Sequence, residues 1–526
     1  MRYTLKKYKS IVKYAHKEVA YLRKFHKRLL CLLFLLLPLW VANASEPLQN
    51  IEESTVRSRA LLIANDFFVN HKSTQGACQN NAEAVYESLK NNAFNIDNIE
   101  RLYNQVASPE SFSLAVQKHF KHSDDNDINI LYISTHGIFE QNTGVDAALI
   151  LSDGINEDFL SAHDIFDAFG GIKGKNVLII DACYSGALIG KGVRGGAFSN
   201  MLHQNNFYVL ASSGGSEESW YWAENQSNMR LIGAGYFSAA FTRGISRSEN
   251  YPADINKNGN ITLHELYDFL YQSHAASVVQ CYPQDSEEVL FTYHSLQGDA
   301  IPTIHHLVFY NDSITTEEPS LNFSFQLEKP IVPLYQIVYY KNGKWDFNNA
   351  EFNYDPGALG NDDEVRPLPE GTHRRKIALN TNLVDNAGYA LINIYAREGR
   401  QLKFVNSRII AILKECDLNN LHVITDFAFQ PMYVQEMPII VNHTCPCYLE
   451  VNVRNKNGEL VYELSGKRLT RPENMQPTAS TFFWHGKLKN GDYADAGEYY
   501  IECIAEINGQ KTRAFSKTFT LLPHIY

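Results

Sequence analysis

The sequence predicts a multidomain chain: an α/β sandwich around a mainly parallel sheet over residues 58–300, then two β-sandwich domains at 301–415 and 430–526. Three observations predict it. Between 58 and 300, short apolar runs alternate with stretches of helical period, as strand–helix–strand units require. From about 301 onward, strand-like runs such as YQIVYY and YLEVNVRN replace the helical periods, with turn signals at Asn342-Gly343, Asn457-Gly458, Asn490-Gly491 and Asn508-Gly509. At 526 residues the chain is too long for one ordinary core, and its 30 Tyr and 29 Phe fit a large share of strand.

Residues 1–44 read as a targeting segment. A long basic stretch from Lys6 to Arg28 precedes the apolar run Leu29 to Trp40, and Ala42-Asn43-Ala44 fits a small-x-small cleavage site with Ser45 as the new N-terminus. The basic stretch is unusually long, so a retained anchor or a later start stays open. The segment carries ten Lys and Arg against one acid, a net +9, so its removal takes the chain from −11 to about −20. Such a surface excludes nucleic acid and anionic membrane as natural partners and favours basic peptides. Of eight cysteines, Cys31 leaves with the segment. In an exported chain some of the other seven can pair while one stays reduced, and Cys183 is the natural candidate. Cys445-Pro-Cys447 is too close for easy metal-site geometry and reads as a disulfide made elsewhere or as burial.

After a linker at 45–57, the α/β elements follow in order. ALLIAND (Ala60 to Asp66) is the first strand, 77–92 a helix, 98–102 the second strand and 109–120 a second helix. Asp127 to Ser134 is the third strand, Phe159 to Phe169 a helix, Asn176 to Ile180 the fourth strand, Phe207 to Ser212 the fifth, and Gly235 to Gly244 a packed helix. A second linker is expected at 416–429.

Two blocks carry the chemistry. Ser134-Thr135-His136-Gly137 closes one apolar run and Asp181-Ala182-Cys183-Tyr184-Ser185-Gly186 closes the next. In open α/β sheets the carboxyl ends of the strands hold the ligand, so both groups fall at one edge. Cys183 is placed to attack a carbonyl, and His136 to hold it as a thiolate or take its proton and then protonate the leaving amine. Gly137 permits close approach, and its N–H with that of Cys183 forms a candidate oxyanion site. Either residue alone would more often be inert. The joint pattern, 47 residues apart with a helix between, is what argues for function.

These blocks resemble those of the caspase-like cysteine peptidases, and the metacaspase and bacterial caspase-like branch more than the animal caspases. The resemblance covers roughly 58–295, includes ALLIAND as the first strand, and implies a peptidase working through a Cys-His dyad with no obligatory third member. It also implies that Asp181 lines the S1 pocket and selects Arg or Lys at P1, against the alternative that Asp181 caps the following turn. Asp66 is expected to add negative charge to the same pocket. Ser212 and Ser213, after the fifth strand, are expected in the S1 wall, and Glu218 is placed to face a basic substrate. The loop 187–200, with Lys191 and Arg194 among four glycines, reads as a self-processing loop or simply as a soluble surface.

Asp254 to Glu265 matches a calcium-binding EF-hand loop: Asp254, Asn256 and Asn258 at positions 1, 3 and 5, Gly259 at 6, the Asn260 carbonyl at 7, Thr262 at 9 and Glu265 at 12. Only two ligand positions are carboxylates, which predicts modest affinity, and a metal-free Asn-Gly turn is the alternative. In the tail, Trp484-His485-Gly486 with Gly497-Glu498-Tyr499 resembles the FlgD-like immunoglobulin-type domain, which implies spacing, surface attachment or substrate presentation. His485 departs from the Asp usual there. His305, His306 and His443 lack partners at metal spacing in the sequence. The expected protein is an exported cysteine endopeptidase with basic P1 preference, periplasmic, cell-surface or secreted. A catalytically silent caspase-like binding or assembly protein, or an adhesin with an auxiliary α/β part, is the competing expectation.

Overall fold

The structure is a computed structural model that describes residues 56–523 except 93, 95, 141–144, 192–200, 204–205, 216, 227–228, 274, 284–285, 294–303, 316, 342–343, 361–363, 381–387, 399–400, 415–417, 432–436, 473–478 and 489–491. The targeting segment, Arg194, Cys416, Asn342-Gly343 and Asn490-Gly491 therefore lie outside the described residues. No helix among the described residues is long and apolar enough to cross a membrane.

Strands β1 (Ser58–Ala64), β2 (Ile96–Tyr103), β3 (Ile128–Ser134), β7 (Lys175–Asp181) and β8 (Phe207–Ala211) are parallel neighbours. With β12 (Gln280–Tyr282) antiparallel at one edge, the sheet order is β12-β8-β7-β3-β1-β2. The three central strands are unbroken apolar runs because both faces of the sheet are covered. Leu62, Tyr132 and Ile179 face one core with helices α1 (Ala77–Asn91) and α4 (Tyr236–Gly244). Their neighbours Ile63, Ile133 and Ile180 face the other, with α2 (Pro109–Phe120) and α3 (Ala162–Ala168). The period of two along each strand thus produces the α/β sandwich. Helix α2 opens on a Ser108 capping box followed by Pro109, a start signal legible in the chain.

One expected helix is shorter. Residues 157–161, expected in part to be helical, form strand β6 (Glu157–Ser161), the edge of an antiparallel sheet with β4 (Gly137–Glu140) and β5 (Val145–Ser152). Ser161 then caps α3 with Asp164 in a capping box. Pairing of Leu160 with Leu149 and Phe159 with Ile150 outweighs the helical period.

Beyond the α/β part, two pairs of sheets follow, one over 304–413 and one over 422–521. The turn signals have physical content. Asn508 and Gly509 both adopt left-handed φ, 47° and 82°, and join strands paired at Ile507 and Gln510. Trp484 is wholly buried, donates Nε1–H to the Lys487 carbonyl at 3.0 Å, and packs on Tyr499 and Phe519. Tyr499 in turn donates its hydroxyl to the Asp495 carbonyl at 2.6 Å. Cys445 is disulfide-bonded, and Cys447 is a buried thiol. A single apolar cluster runs from Leu62 and Phe237 through Tyr395 to Trp484, so the α/β and β-rich parts share one continuous core.

Candidate active site

The β3–β7 register sets the site. Ser134 lies opposite Asp181, and the Thr135 N–H donates to the Asp181 carbonyl at 3.3 Å. His136 and Cys183 each stand two residues beyond that pair, at one edge of the sheet. A Cβ on Gly137 would lie 1.9 Å from the Cys183 carbonyl oxygen, so only glycine lets the two blocks meet. The Ile150 N–H donates to the His136 carbonyl at 2.9 Å. The next pair, Gly137 with Leu149, is then a non-hydrogen-bonded pair, and the Gly137 N–H points away from β5.

After Cys183 the chain turns sharply. Tyr184 adopts left-handed φ 59° and leads into a short 3₁₀ helix, Ser185–Ile189. Side chains from the strand β8 loop bolt this turn. Ser212 Oγ accepts the Ala182 N–H at 3.1 Å and donates to the Ala182 carbonyl at 3.2 Å. Ser213 Oγ donates to the same carbonyl at 3.0 Å, and the Tyr184 N–H is taken by the Glu217 carbonyl at 2.8 Å. Ser212 and Ser213 are wholly buried. Their buried hydroxyls brace the cysteine turn. Among the described residues no backbone hydrogen bond is seen from the Cys183 N–H.

His136 is held from a different direction. Its Nε2–H donates to the Lys72 carbonyl at 2.7 Å, and Phe68 packs on its ring at 4.6 Å. The loop that supplies both is tied down by Glu157 on β6, whose carboxylate accepts the Val69 and Asn70 N–H groups and pairs with His71 Nδ1 at 2.9 Å. With Nε2 donating, neutral His136 leaves its Nδ1 lone pair as the base. Burial holds the imidazole below its usual pKa. Burial also pushes the Cys183 thiol up to about 12, with Glu218 and Asp181 adding to the effect. The thiol donates weakly to the Ser219 carbonyl at 3.6 Å. Burial thus favours the neutral forms of both the thiol and the imidazole.

Asp181 is buried. It accepts Ser219 Oγ–H at 3.0 Å, Ser238 Oγ–H at 2.6 Å and Asn81 Nδ2–H at 3.2 Å, and burial raises its pKa. Asp66 accepts the Cys78 and Gln79 N–H groups at 3.0 and 2.9 Å, so it caps α1 from a distance. Burial first, and then the Asp66 and Asp181 carboxylates, push the Cys78 thiol up.

Ser219 touches both Asp181 and the Cys183 thiol, and the next residue, Trp220, leads into the β-rich part. Its ring lies 4.8 Å from Phe347, and its carbonyl accepts the Tyr236 N–H at 3.1 Å. The Tyr236 hydroxyl donates to Gln336 Oε1 at 2.7 Å, in a buried cluster with Asn393 and Tyr395. The 304–413 region therefore braces the loop beside the nucleophile. Ser219 ends the small polar segment 211–219 that the sequence offers as a substrate-lining loop, whereas Lys72, Glu157, Ser238, Asn81 and Phe347 were not found from sequence. Each acts across tens of residues or more, and none sits in a contiguous motif. Lys191, read as a possible processing site or as part of a soluble surface, is 2% exposed and lies 5.5 Å from the Phe483 ring, so it is not a surface lysine.

The Asp254–Glu265 loop closes on itself. Asp254 accepts the Asn258 and Gly259 N–H groups at 3.2 and 3.0 Å, and Gly259 has φ +88°. Asn256 Nδ2 reaches Glu265 Oε1 at 2.8 Å, and Asn258 Oδ1 accepts the Asn260 N–H at 2.8 Å. Strand β11 (Asn260–Thr262) pairs with β13 (Val289–Thr292), and helix α5 (Leu263–Ser273) leaves from it. The donor set is all oxygen, as a hard cation requires.

Among known proteins, residues 57–281 match the family model described as the peptidase C14 caspase domain. A search of curated proteins found no match. Among solved structures, a Geobacter sulfurreducens protein is 13% identical, covering 45% of this chain and 100% of that one at a TM-score of 0.31. Caspase-1 from Spodoptera frugiperda is 13% identical, covering 45% and 92% at 0.29. The Arg-specific cysteine proteinase gingipain R is 11% identical, covering 68% and 67% at 0.24. On the family match and the parallel sheet that carries the His136 and Cys183 blocks, residues 57–281 are a caspase-like domain of the peptidase C14 type.

Proposed function

We propose that this chain is an exported cysteine endopeptidase that cuts after Arg or Lys. The observation that carries it is the abutment of Gly137 on the Cys183 carbonyl, which sets the histidine and cysteine blocks side by side at a sheet edge. In this reading His136 Nδ1 takes the thiol proton as Cys183 Sγ attacks the scissile carbonyl carbon. The new imidazolium is stabilised through Nε2–H on the Lys72 carbonyl. The N–H groups of Gly137 and Cys183 receive the oxyanion. The intermediate collapses to a thioester as the imidazolium gives its proton to the leaving amine, and water, deprotonated by His136, releases the acid. Asp181, Asp66 and Glu218 are the negative groups that draw a basic P1 side chain.

A fluorogenic peptide series with Arg, Lys, Asn or Asp at P1 tests this. Turnover of the basic peptides that disappears in Cys183→Ala supports it. No turnover of any member, with or without calcium, points instead to a silent binding or assembly protein. Substituting Asp181 by Asn lowers the preference for Arg over neutral P1 residues, and an unchanged preference removes that role from Asp181.

The same proposal includes calcium at Asp254, Asn256, Asn258, Asn260 and Glu265. The expected result is a calcium-dependent rise in melting temperature that Glu265→Gln abolishes. It also includes cleavage before Ser45 on export, read by N-terminal sequencing, and a FlgD-like C-terminal domain that serves surface attachment or substrate presentation.

A further inference from the structure

We propose that Phe67, Val69 and Ile155 form an apolar subsite for the residues that follow the cut bond, so that the substrate carries an apolar side chain within P1′–P3′. Three consecutive apolar residues, Phe67, Phe68 and Val69, lie on the loop after β1. Phe68 packs on the His136 ring at 4.6 Å, while Phe67 and Val69 are 56% and 51% exposed. The β5–β6 turn adds a third exposed group. Gly154 has φ +85°, and a Cβ there would lie 3.3 Å from Phe67 Cβ, so this turn rests against Phe67. Asp153 Oδ1 accepts the Ile155 and Asn156 N–H groups at 2.8 and 2.7 Å, which holds Ile155 at the tip with 82% of it exposed. Glu157 ties the two segments together through the Val69 and Asn70 N–H groups. Large apolar groups gathered on a preorganised backbone mark a binding surface, where single scattered ones do not.

The position of the patch relative to the dyad assigns its occupant. In the peptidase reading, on which this inference rests, His136 gives its proton to the leaving amine. A proton passes only across hydrogen-bond reach, so the leaving chain starts at the imidazole. The same imidazole is bonded to the Lys72 carbonyl and covered by Phe68, both on the loop that carries Phe67 and Val69. The leaving-side residues therefore run out beside this loop, whereas Asp181, the group proposed for the basic P1 side chain, belongs to the cysteine block. Three extended residues span roughly 10 Å, enough to pass from His136 across Phe68 to its neighbours.

The test separates binding from cleavage. Fluorescein-labelled peptides carry Gly-Gly-Arg before the bond and Leu-Leu-Leu, Ser-Ser-Ser or Lys-Lys-Lys after it. Anisotropy reads their binding to the full chain with Cys183→Ala, and mass spectrometry reads their turnover by the unsubstituted chain. The expected result is that the leucine peptide binds about tenfold or more tightly than the serine peptide. Phe67→Ser removes that margin. Ile155→Glu, at the exposed turn, moves the preference toward the lysine peptide, which loss of folding cannot do. Equal binding of the leucine and serine peptides, no binding of any peptide, or a leucine preference that survives both substitutions overturns the subsite. Turnover without a leaving-side preference overturns it as well. Leucine-selective binding with no turnover keeps an apolar subsite after the basic residue and overturns the peptidase reading. Sedimentation reads the competing occupant: dimerisation that Ile155→Glu abolishes, with the peptide preference unchanged, assigns the patch to a second copy of the chain and overturns the subsite.

Discussion

The two halves of the candidate dyad are built differently. Cys183 sits on a turn bolted from behind by buried hydroxyls, Ser212 and Ser213, within the sheet that forms the core. His136 is held by the Lys72 carbonyl and the Phe68 ring, both on a surface loop whose tip the Glu157 carboxylate ties down. The nucleophile side is therefore part of the fold's stability, whereas the histidine side is an attachment to it. Damage to the first should appear as lost stability together with lost rate. Damage to the second should appear as lost rate alone.

The largest expected effect removes either partner outright. Cys183→Ala or His136→Ala lowers kcat/KM by about four orders of magnitude or more, as for members of one catalytic unit. Steady-state kinetics on an Arg peptide reads it, and equal loss in the double variant sharpens the claim that they act together. Glu157→Ala releases the Lys72 loop. It lowers kcat by roughly 10- to 100-fold, the scale of a small misplacement, with the melting temperature nearly unchanged. A large fall in melting temperature would erase the contrast. Ser212→Ala strands the buried Ala182 amide and costs about 1–3 kcal/mol of stability, read by denaturant titration. A loss of rate with full stability would contradict the bolted turn. Phe347→Ala withdraws the ring behind Trp220 and extends the comparison to the β-rich region. A loss of kcat of about tenfold or less is expected, since the Tyr236 cluster still holds the loop.

The smallest effect is in pH. Burial lowers the pKa of His136, so the imidazole is neutral, and able to act as base, down to a lower pH than an exposed histidine. The acid limb of kcat/KM should have its midpoint below the ordinary value of about 6.5. A midpoint above it would place His136 in a standing ion pair with the thiolate. The thiol, pushed up to about 12, should react slowly with iodoacetamide at neutral pH.

What was legible in the chain follows the same division. The central strands were readable because strands buried on both faces are unbroken apolar runs, as in LLIA and NVLII. His136 and Cys183 were readable because each stands in a contiguous block at the end of such a run. Asp66 and Asp181 were legible as acids at strand ends, but their partners were not. Asn81 and Ser238 lie on helices far away in sequence, and a hydrogen bond to a distant helix leaves no local pattern. Ser212 and Ser213 were noticed, but their bonds to the Ala182 peptide were not legible, because a small polar segment reads alike whether it faces substrate or braces a turn. The strand nature of Glu157–Ser161 was hidden by a helical period that only pairing with β5 overrides.

The most direct test of the central claim is covalent labelling by a peptidyl-arginine electrophile, read by peptide mass spectrometry on the full chain. The expected result is one adduct, on Cys183, that is lost in Cys183→Ala and reduced in His136→Ala. Less labelling is expected when a neutral residue replaces the arginine. No adduct, an adduct on another cysteine, or labelling that persists in Cys183→Ala would contradict the claim.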